Sequence, residues 1–135
     1  MSIYGCTISG WAALNVWAFG SDIKVDNSVL TGTNDKSYNK DGWNDFATIC
    51  FEADTTAQTN EYGYNNKITI NNSTVKAIST SQNKQALVSF NGGNIGSTAC
   101  VLELNGCNLS EVSSLYTAGG QGNKIYINQE IKFEN

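Results

Sequence analysis

Lys67-Ile-Thr-Ile-Asn-Asn-Ser-Thr-Val-Lys-Ala77 is a stretch in which two short β-strands meet at a tight corner. Ile68 and Ile70 alternate with polar residues, which is the two-residue period of a strand that buries one face. Asn72 breaks the alternation, and Val75 restores it. The stretch therefore predicts a strand, a corner and a second strand.

Altered copies of this pattern recur along the chain, at residues 3–10, 23–32, 102–109 and, more loosely, 125–133. The corner of a copy falls at Asn27, Asn72, Gly5 or Gly106. Asn and Gly adopt the left-handed backbone of a tight corner more readily than other residues. A unit that recurs in this way predicts a repeat protein built by stacking.

A second, less regular strand separates successive copies, at residues 13–17, 47–51, 86–90 and 114–117. Each unit thus contains three strands and three corners. The 47–51 strand lies between the copies at residues 23–32 and 67–77, and the chain between these copies is long enough to hold two insertions, near residues 33–45 and 52–66. We expect both insertions to be surface loops, one on each side of that strand.

The motif Ile68-x-Ile70-x-Asn72-Ser73-x-Val75 resembles the repeat of the right-handed parallel β-helix, the pectin-lyase-like fold, and the resemblance covers nearly the whole chain. It implies an all-β solenoid of about four to five coils, with three short strands in each coil and Asn or Gly at the corners. A leucine-rich repeat fits less well because it requires its own leucine frame and a helical turn in each unit. A β-sandwich fits less well because it would not repeat one motif along the chain.

We expect a single domain, residues 1–135, with no membrane span, because the chain lacks a run of about eighteen apolar residues. The net charge is −4 and the eight basic residues are all Lys, so no surface for nucleic-acid phosphates is expected. The chain shows no signal peptide, and neither its first nor its last copy has a capping element. These features predict a segment excised from a longer protein, whose exposed end coils associate end to end.

Four cysteines are present, and Cys6 and Cys107 occupy the position that Ser28 and Ser73 take in other copies. Because rungs of a parallel sheet are spaced by ~4.8 Å, Cys6 and Cys107 are expected to lie ~14 Å apart. A disulfide spans at most ~7 Å between Cα atoms. We therefore predict buried thiols without disulfides, and the absence of His leaves no zinc ligand set.

In the pectin-lyase-like enzymes the substrate cleft runs over the strand type that residues 47–51 represent here, between loops from the neighbouring corners. The resemblance places the two insertions at such a cleft. They carry aromatic and acidic residues that suit a carbohydrate site: Trp43, Tyr62, Tyr64, Asp41 and Asp45. Aromatic faces stack on sugars, and the carboxylates of Asp41 and Asp45 accept sugar hydroxyls or coordinate calcium. The alternative is that the aromatic residues only anchor polar loops to the coil.

Catalysis has less support from the sequence. Lyases of the resembled family use Arg or Lys with bound calcium, and its hydrolases pair Asp with His and Arg, but this chain has no Arg and no His. No catalytic residue is therefore predicted, and calcium is the cofactor to consider. The resemblance implies a non-catalytic segment of a bacterial cell-surface or secreted protein, outside the cell, that serves as an adhesin-like stalk or a carbohydrate-binding module. The alternative is a fragment of a polysaccharide lyase or glycoside hydrolase whose catalytic coils lie elsewhere.

Overall fold

The computed structural model describes residues 1–33, 47–53, 63–79, 85–93, 96–117 and 119–135. This part of the chain is all β, with thirteen strands and no helix, as predicted. No helix that could cross a membrane is therefore found within these ranges. The strands are β1 (Ser2–Tyr4), β2 (Thr7–Gly10), β3 (Leu14–Val16), β4 (Asp22–Asp26), β5 (Val29–Gly32), β6 (Ala47–Ala53), β7 (Lys67–Asn71), β8 (Thr74–Ala77), β9 (Ala86–Gly93), β10 (Val101–Asn105), β11 (Ser114–Thr117), β12 (Lys124–Ile127) and β13 (Glu130–Glu134).

The chain enters three sheets in turn. Sheet A has the strand order β1-β4-β7-β10-β12-β13, sheet B the order β2-β5-β8, and sheet C the order β3-β6-β9-β11. Among the described strands all pairings are parallel except that of β12 with β13. We call one strand each of sheets A, B and C, in that order, a unit. In the fourth unit Asn108 stands in place of a strand of sheet B and forms a single bridge to Thr74 of β8.

The register of sheet A stacks equivalent residues of successive units. Ile3 pairs with Val25, Val25 with Ile70, Ile70 with Leu104, and Leu104 with Ile127. Val25, Ile70 and Leu104 have no exposed surface. The apolar positions of the repeat therefore face the interior, as their alternation predicts.

A hydrophobic core contains buried residues of all three sheets. Ile70 comes from sheet A, Leu30 from sheet B, and Phe51 and Phe90 from sheet C. The rings of Phe51 and Phe90 are nearly parallel, with centroids 5.5 Å apart, because they lie on paired strands of neighbouring units. The interior is thus a set of side-chain stacks that run across the strands.

The predicted corner residues have the left-handed backbone that the pattern requires. The φ angle is 49° at both Asn27 and Asn72, 63° at Gly5 and 61° at Gly106. At Gly106 there is a second constraint, because an added Cβ would lie 2.7 Å from the side-chain oxygen of Asn72. The Asn-or-Gly prediction for these corners is confirmed.

The residue after each corner connects neighbouring units by hydrogen bonds. The backbone N–H of Cys6 donates to Ser28 Oγ at 3.1 Å, and the N–H of Ser28 donates to Ser73 Oγ at 3.0 Å. Each hydroxyl also donates to the carbonyl two residues before it, at Asp26 and Asn71, over 2.9 and 2.8 Å. This position therefore needs a small hydrogen-bonding side chain, a stricter requirement than small size alone.

The last repeat does not end as predicted. Asn128 and Gln129 both have positive φ, 49° and 68°, which is the pattern of a two-residue type I′ hairpin. The chain therefore reverses after β12, and β13 pairs with it antiparallel. Phe133 then stacks on Phe90, with ring centroids 5.5 Å apart. Its ring centroid also lies 4.1 Å from that of Tyr116, with the two rings tilted. The predictions of a fifth strand–corner–strand copy and of an uncapped last coil are wrong, because this hairpin closes the end of the core.

The first unit contributes the first strand of each sheet. Strands β1, β2 and β3 each stand at an end of their sheet. Ile3 and Ile8 are partly buried and form the last layer of side chains packed against the core at this end. The two ends of the molecule thus differ.

Candidate functional site

Of the five residues predicted to bind carbohydrate, Tyr64 alone lies in the described part of the chain. The other four, Trp43, Tyr62, Asp41 and Asp45, lie outside the described residues. Tyr64 is half-buried, and its backbone bridges in parallel to Phe19 of the previous unit and Thr98 of the next. It therefore belongs to the corner between sheets C and A. Binding by these five residues stays a prediction.

The 47–51 strand offers no exposed side chain to a ligand. Asn15, Cys50 and Ser89 are paired in register on the outer face of sheet C, and Asn15 is exposed whereas Cys50 and Ser89 are fully buried. Among the described residues, Trp11 packs against Cys50 and its neighbours on this face. A ligand held near this strand would contact flanking residues instead.

A groove does occur on the outer face of sheet A. It has a volume of about 300 Å³ and is lined by Glu103, Asn105, Tyr126 and Gln129. Glu103 of β10 pairs with Tyr126 of β12, so their side chains leave the sheet on the same side. Asn105 follows two residues after Glu103 and shares its face, and Gln129 lies in the turn between β12 and β13.

Neighbouring units hold the polar groups of this groove in place. Lys67 Nζ lies 3.0 Å from Glu103 Oε1, and the two side chains are 45% and 31% exposed. A pair this exposed adds about 0–1 kcal/mol to stability, so its main effect is to orient the carboxylate. Asn105 Nδ2 donates to Asn71 Oδ1 at 3.0 Å, and Asn71 Nδ2 donates to Asp26 Oδ1 at 3.0 Å. This amide ladder directs the side-chain nitrogen of Asn105 toward β7 and fixes the orientation of the amide.

The groove combines an aromatic ring with one carboxylate and two amides. A ring covers the apolar face of a sugar, and amides and carboxylates exchange hydrogen bonds with sugar hydroxyls. Glycoside hydrolysis by the usual route needs two carboxyl groups about 5–9.5 Å apart, and the described lining supplies Glu103 alone. The arrangement suits binding better than hydrolysis.

Within the described residues, no group of three or more His, Cys, Asp or Glu could hold a metal ion. Asp41 and Asp45, the residues predicted to hold calcium, lie outside these ranges. Calcium binding therefore stays a prediction.

All four cysteines carry thiols, and none is in a disulfide, as predicted. Burial raises the pKa of the Cys100 thiol, and hydrogen bonds from its neighbours offset this only in part. Burial also raises the pKa of Cys107. The expectation that all four are buried is wrong for Cys6, which is exposed in the first unit, and Cys107 is only partly buried.

A buried polar ladder at the residues that precede the strands of sheet A was not predicted. Asn66 Oδ1 accepts hydrogen bonds from the N–H and the hydroxyl of Ser21, at 3.0 and 2.7 Å. Asn123 Oδ1 accepts the N–H of Cys100 at 3.0 Å. The sequence does contain a pattern that could have predicted this ladder. Asn66 and Asn123 each stand directly before a Lys that begins a strand of sheet A.

Comparisons of the chain with protein-family models, with curated proteins and with solved structures gave no match.

Proposed function

We propose that this chain is a non-catalytic, carbohydrate-binding segment of a cell-surface or secreted protein, folded as a right-handed parallel β-helix. Three observations support the fold: the repeated order of sheets A, B and C, the parallel pairing of successive units, and the core shared by all three sheets. Parallel crossover connections are right-handed in about 98% of cases, which supports the right-handed sense.

The groove lined by Glu103, Asn105, Tyr126 and Gln129 is the observation that carries the binding function. Tyr126 provides the apolar surface, and the three polar side chains provide acceptors and donors around it. The strands on which Glu103, Asn105 and Tyr126 lie are paired on both sides, so these groups are ordered before a ligand arrives. Pre-ordered groups lose less conformational entropy on binding.

The expected affinity of a single groove is low. An aromatic stacking contact contributes about 0.5–1.5 kcal/mol beyond its area of burial, and the groove has one such ring. A stalk that carries several weak sites can still hold a polymeric ligand, because linked sites bind with high effective concentration. This use of weak sites fits a surface adhesin.

A glycan array with the folded chain tests the proposal, followed by titration of a monovalent form of any glycan that binds. Tyr126→Ala should abolish measurable binding. Tyr4→Ala is the matched control, because Tyr4 is an exposed tyrosine at the other edge of sheet A and should leave affinity unchanged.

Glu103→Gln should weaken binding while it preserves the shape of the groove. A folded chain that binds no glycan would refute the proposal. Binding that survives Tyr126→Ala but is lost in Trp43→Ala would move the site to the insertions.

A further inference from the structure

A row of hydrogen-bonded side chains leads away from the groove across the outer face of sheet A. Asn105, which lines the groove, pairs in register with Asn71, and Asn71 pairs with Asp26. Asn105 Nδ2 donates to Asn71 Oδ1, and Asn71 Nδ2 donates to Asp26 Oδ1, each over 3.0 Å. We call Asn105, Asn71 and Asp26 the amide row. Because all three residues are partly exposed, the amide row extends the polar lining of the groove from β10 over β7 to β4.

The amide row keeps hydrogen-bonding capacity for a ligand. A side-chain amide has two N–H donors and an oxygen with two lone pairs. At Asn71 the row uses one donor and one lone pair, and at Asp26 it uses one lone pair of one carboxylate oxygen. Because these bonds fix the orientation of the side chains, the remaining donors and acceptors are ordered before a ligand arrives. A ligand that binds them loses less conformational entropy.

The groove itself holds only the first part of a polymeric ligand. Its volume of about 300 Å³ lies at the lower limit for small-molecule sites. Tyr126 provides an aromatic face for one sugar ring. A longer glycan therefore has to leave the groove, and the amide row offers it a continuous line of polar groups.

The spacing of the amide row matches one class of glycan. Neighbouring strands are ~4.8 Å apart, so equivalent side chains on successive strands recur at this distance. This is close to the advance per sugar residue of an extended β-1,4-linked hexose chain. Such a chain is a flat ribbon with hydroxyl groups along both edges, so each sugar residue offers a hydroxyl to one member of the row. Coiled glycans do not keep this spacing along a straight line.

The charge of this face favours a neutral glycan. The outer faces of β4, β7, β10 and β12 carry three carboxylates and three ammonium groups, those of Asp22, Asp26, Glu103, Lys24, Lys67 and Lys124. Such a face has no excess of positive charge to attract a polyanion. Lys67 is already held 3.0 Å from Glu103. A chain of uronic acids would place its carboxylates beside Glu103 and Asp26 and would be repelled.

Given the carbohydrate-binding function proposed above, we propose that the ligand is an extended, neutral β-1,4-linked glycan that crosses the strands of sheet A. One sugar residue stacks on Tyr126 in the groove, and the next three follow the amide row. Four sugar residues then fill the site, one for each of the strands β12, β10, β7 and β4.

Isothermal titration calorimetry of the 135-residue chain with cello-oligosaccharides of two to six sugar residues tests the proposal. Affinity should rise about two- to tenfold with each sugar residue up to the fourth, because each gains about one hydrogen bond, and should then stay constant. Oligogalacturonates of the same lengths should bind more weakly throughout. This series requires no variant, so it decides the question even if a substituted chain folds poorly.

Asp26→Ala removes the far end of the amide row and leaves the groove residues in place. It should lower the affinity for the tetrasaccharide to that for the trisaccharide and leave the affinity for the disaccharide unchanged. Thr31→Ala, on the outer face of sheet B, is the control and should change neither affinity.

Three results would overturn the proposed ligand and leave carbohydrate binding itself intact. They are an affinity for cello-oligosaccharides that does not rise beyond the disaccharide, tighter binding of oligogalacturonates, and binding of other glycans on the array without binding of cello-oligosaccharides. A folded chain that binds no glycan at all would instead refute the proposed function, and the proposed ligand with it.

Discussion

Replacing Ile70 by Asn tests the inward face of the repeat. Ile70 has no exposed surface and lies between Val25 and Leu104 in the stack of sheet A. Loss of a buried Ile side chain costs about 2–5 kcal/mol. A buried amide without hydrogen-bond partners adds about 1–3 kcal/mol, while Asn fills part of the vacated volume. We expect a net destabilisation of about 3–5 kcal/mol.

The matched control is Thr69→Asn, one residue away on the outer face. It places the same amide on the partly exposed outer face and should cost less than about 1 kcal/mol, the span of strand propensities. Urea denaturation followed by circular dichroism measures both values. The assignment of inner and outer faces would be refuted if Ile70→Asn were neutral or if Thr69→Asn were the more damaging change.

Four more predictions concern the end closed by the β12–β13 hairpin, the corners and the thiols. Phe133→Ala removes a partly buried ring of the aromatic stack and should cost about 1–3 kcal/mol in denaturation experiments; a value near zero would mean that the hairpin does not close the core. Gly106→Ala should destabilise more than Gly5→Ala, because both glycines have positive φ but only at Gly106 would the new Cβ meet a neighbour, 2.7 Å away. Equal losses in the two variants would exclude that clash. Thiol titration should label Cys6 first in the native protein and all four cysteines after unfolding without reductant, and native labelling that starts elsewhere would contradict the assigned burial. The raised pKa of Cys100 means that the unfolded thiol ionises first, so stability should fall as pH rises above the ordinary value of 9.0, with a weaker fall in Cys100→Ala.

The repeat could be predicted from sequence because its determinants are local. Ile68 and Ile70 alternate with polar residues, and Asn72 marks the corner that follows them, so one short stretch specifies two strands and the bend between them. Stacking of equivalent stretches then sets the register of the strands, since inward-facing residues of one strand pair with inward-facing residues of the next. The same reasoning placed Gly5 and Gly106 at corners, which the φ angles confirm.

The hairpin at the closed end could not be predicted in this way. Residues 125–133 keep the alternation of a repeat, and Asn128-Gln129 is not among the usual type I′ pairs, in which Gly follows Asn. The direction of the chain after Ile127 is decided by tertiary contact, because Phe133 gains the stack on Phe90 only if the chain reverses.

The groove was missed for a different reason. Glu103 and Tyr126 are far apart in sequence, and their proximity depends on the pairing of β10 with β12. Neither residue belongs to a local motif. The long insertions drew the prediction instead, because aromatic and acidic residues are close together in the sequence there.

We propose that carbohydrate binds on the outer face of sheet A, near the hairpin that joins β12 and β13. Backbone amide chemical shifts of the isotope-labelled chain, recorded during titration with a glycan that binds on the array, test this directly. We predict that the amides of Glu103, Asn105, Tyr126 and Gln129 shift together and saturate with one affinity. Shifts confined to the corner at residues 63–66, or no shift in the folded chain at any glycan concentration, would contradict the claim.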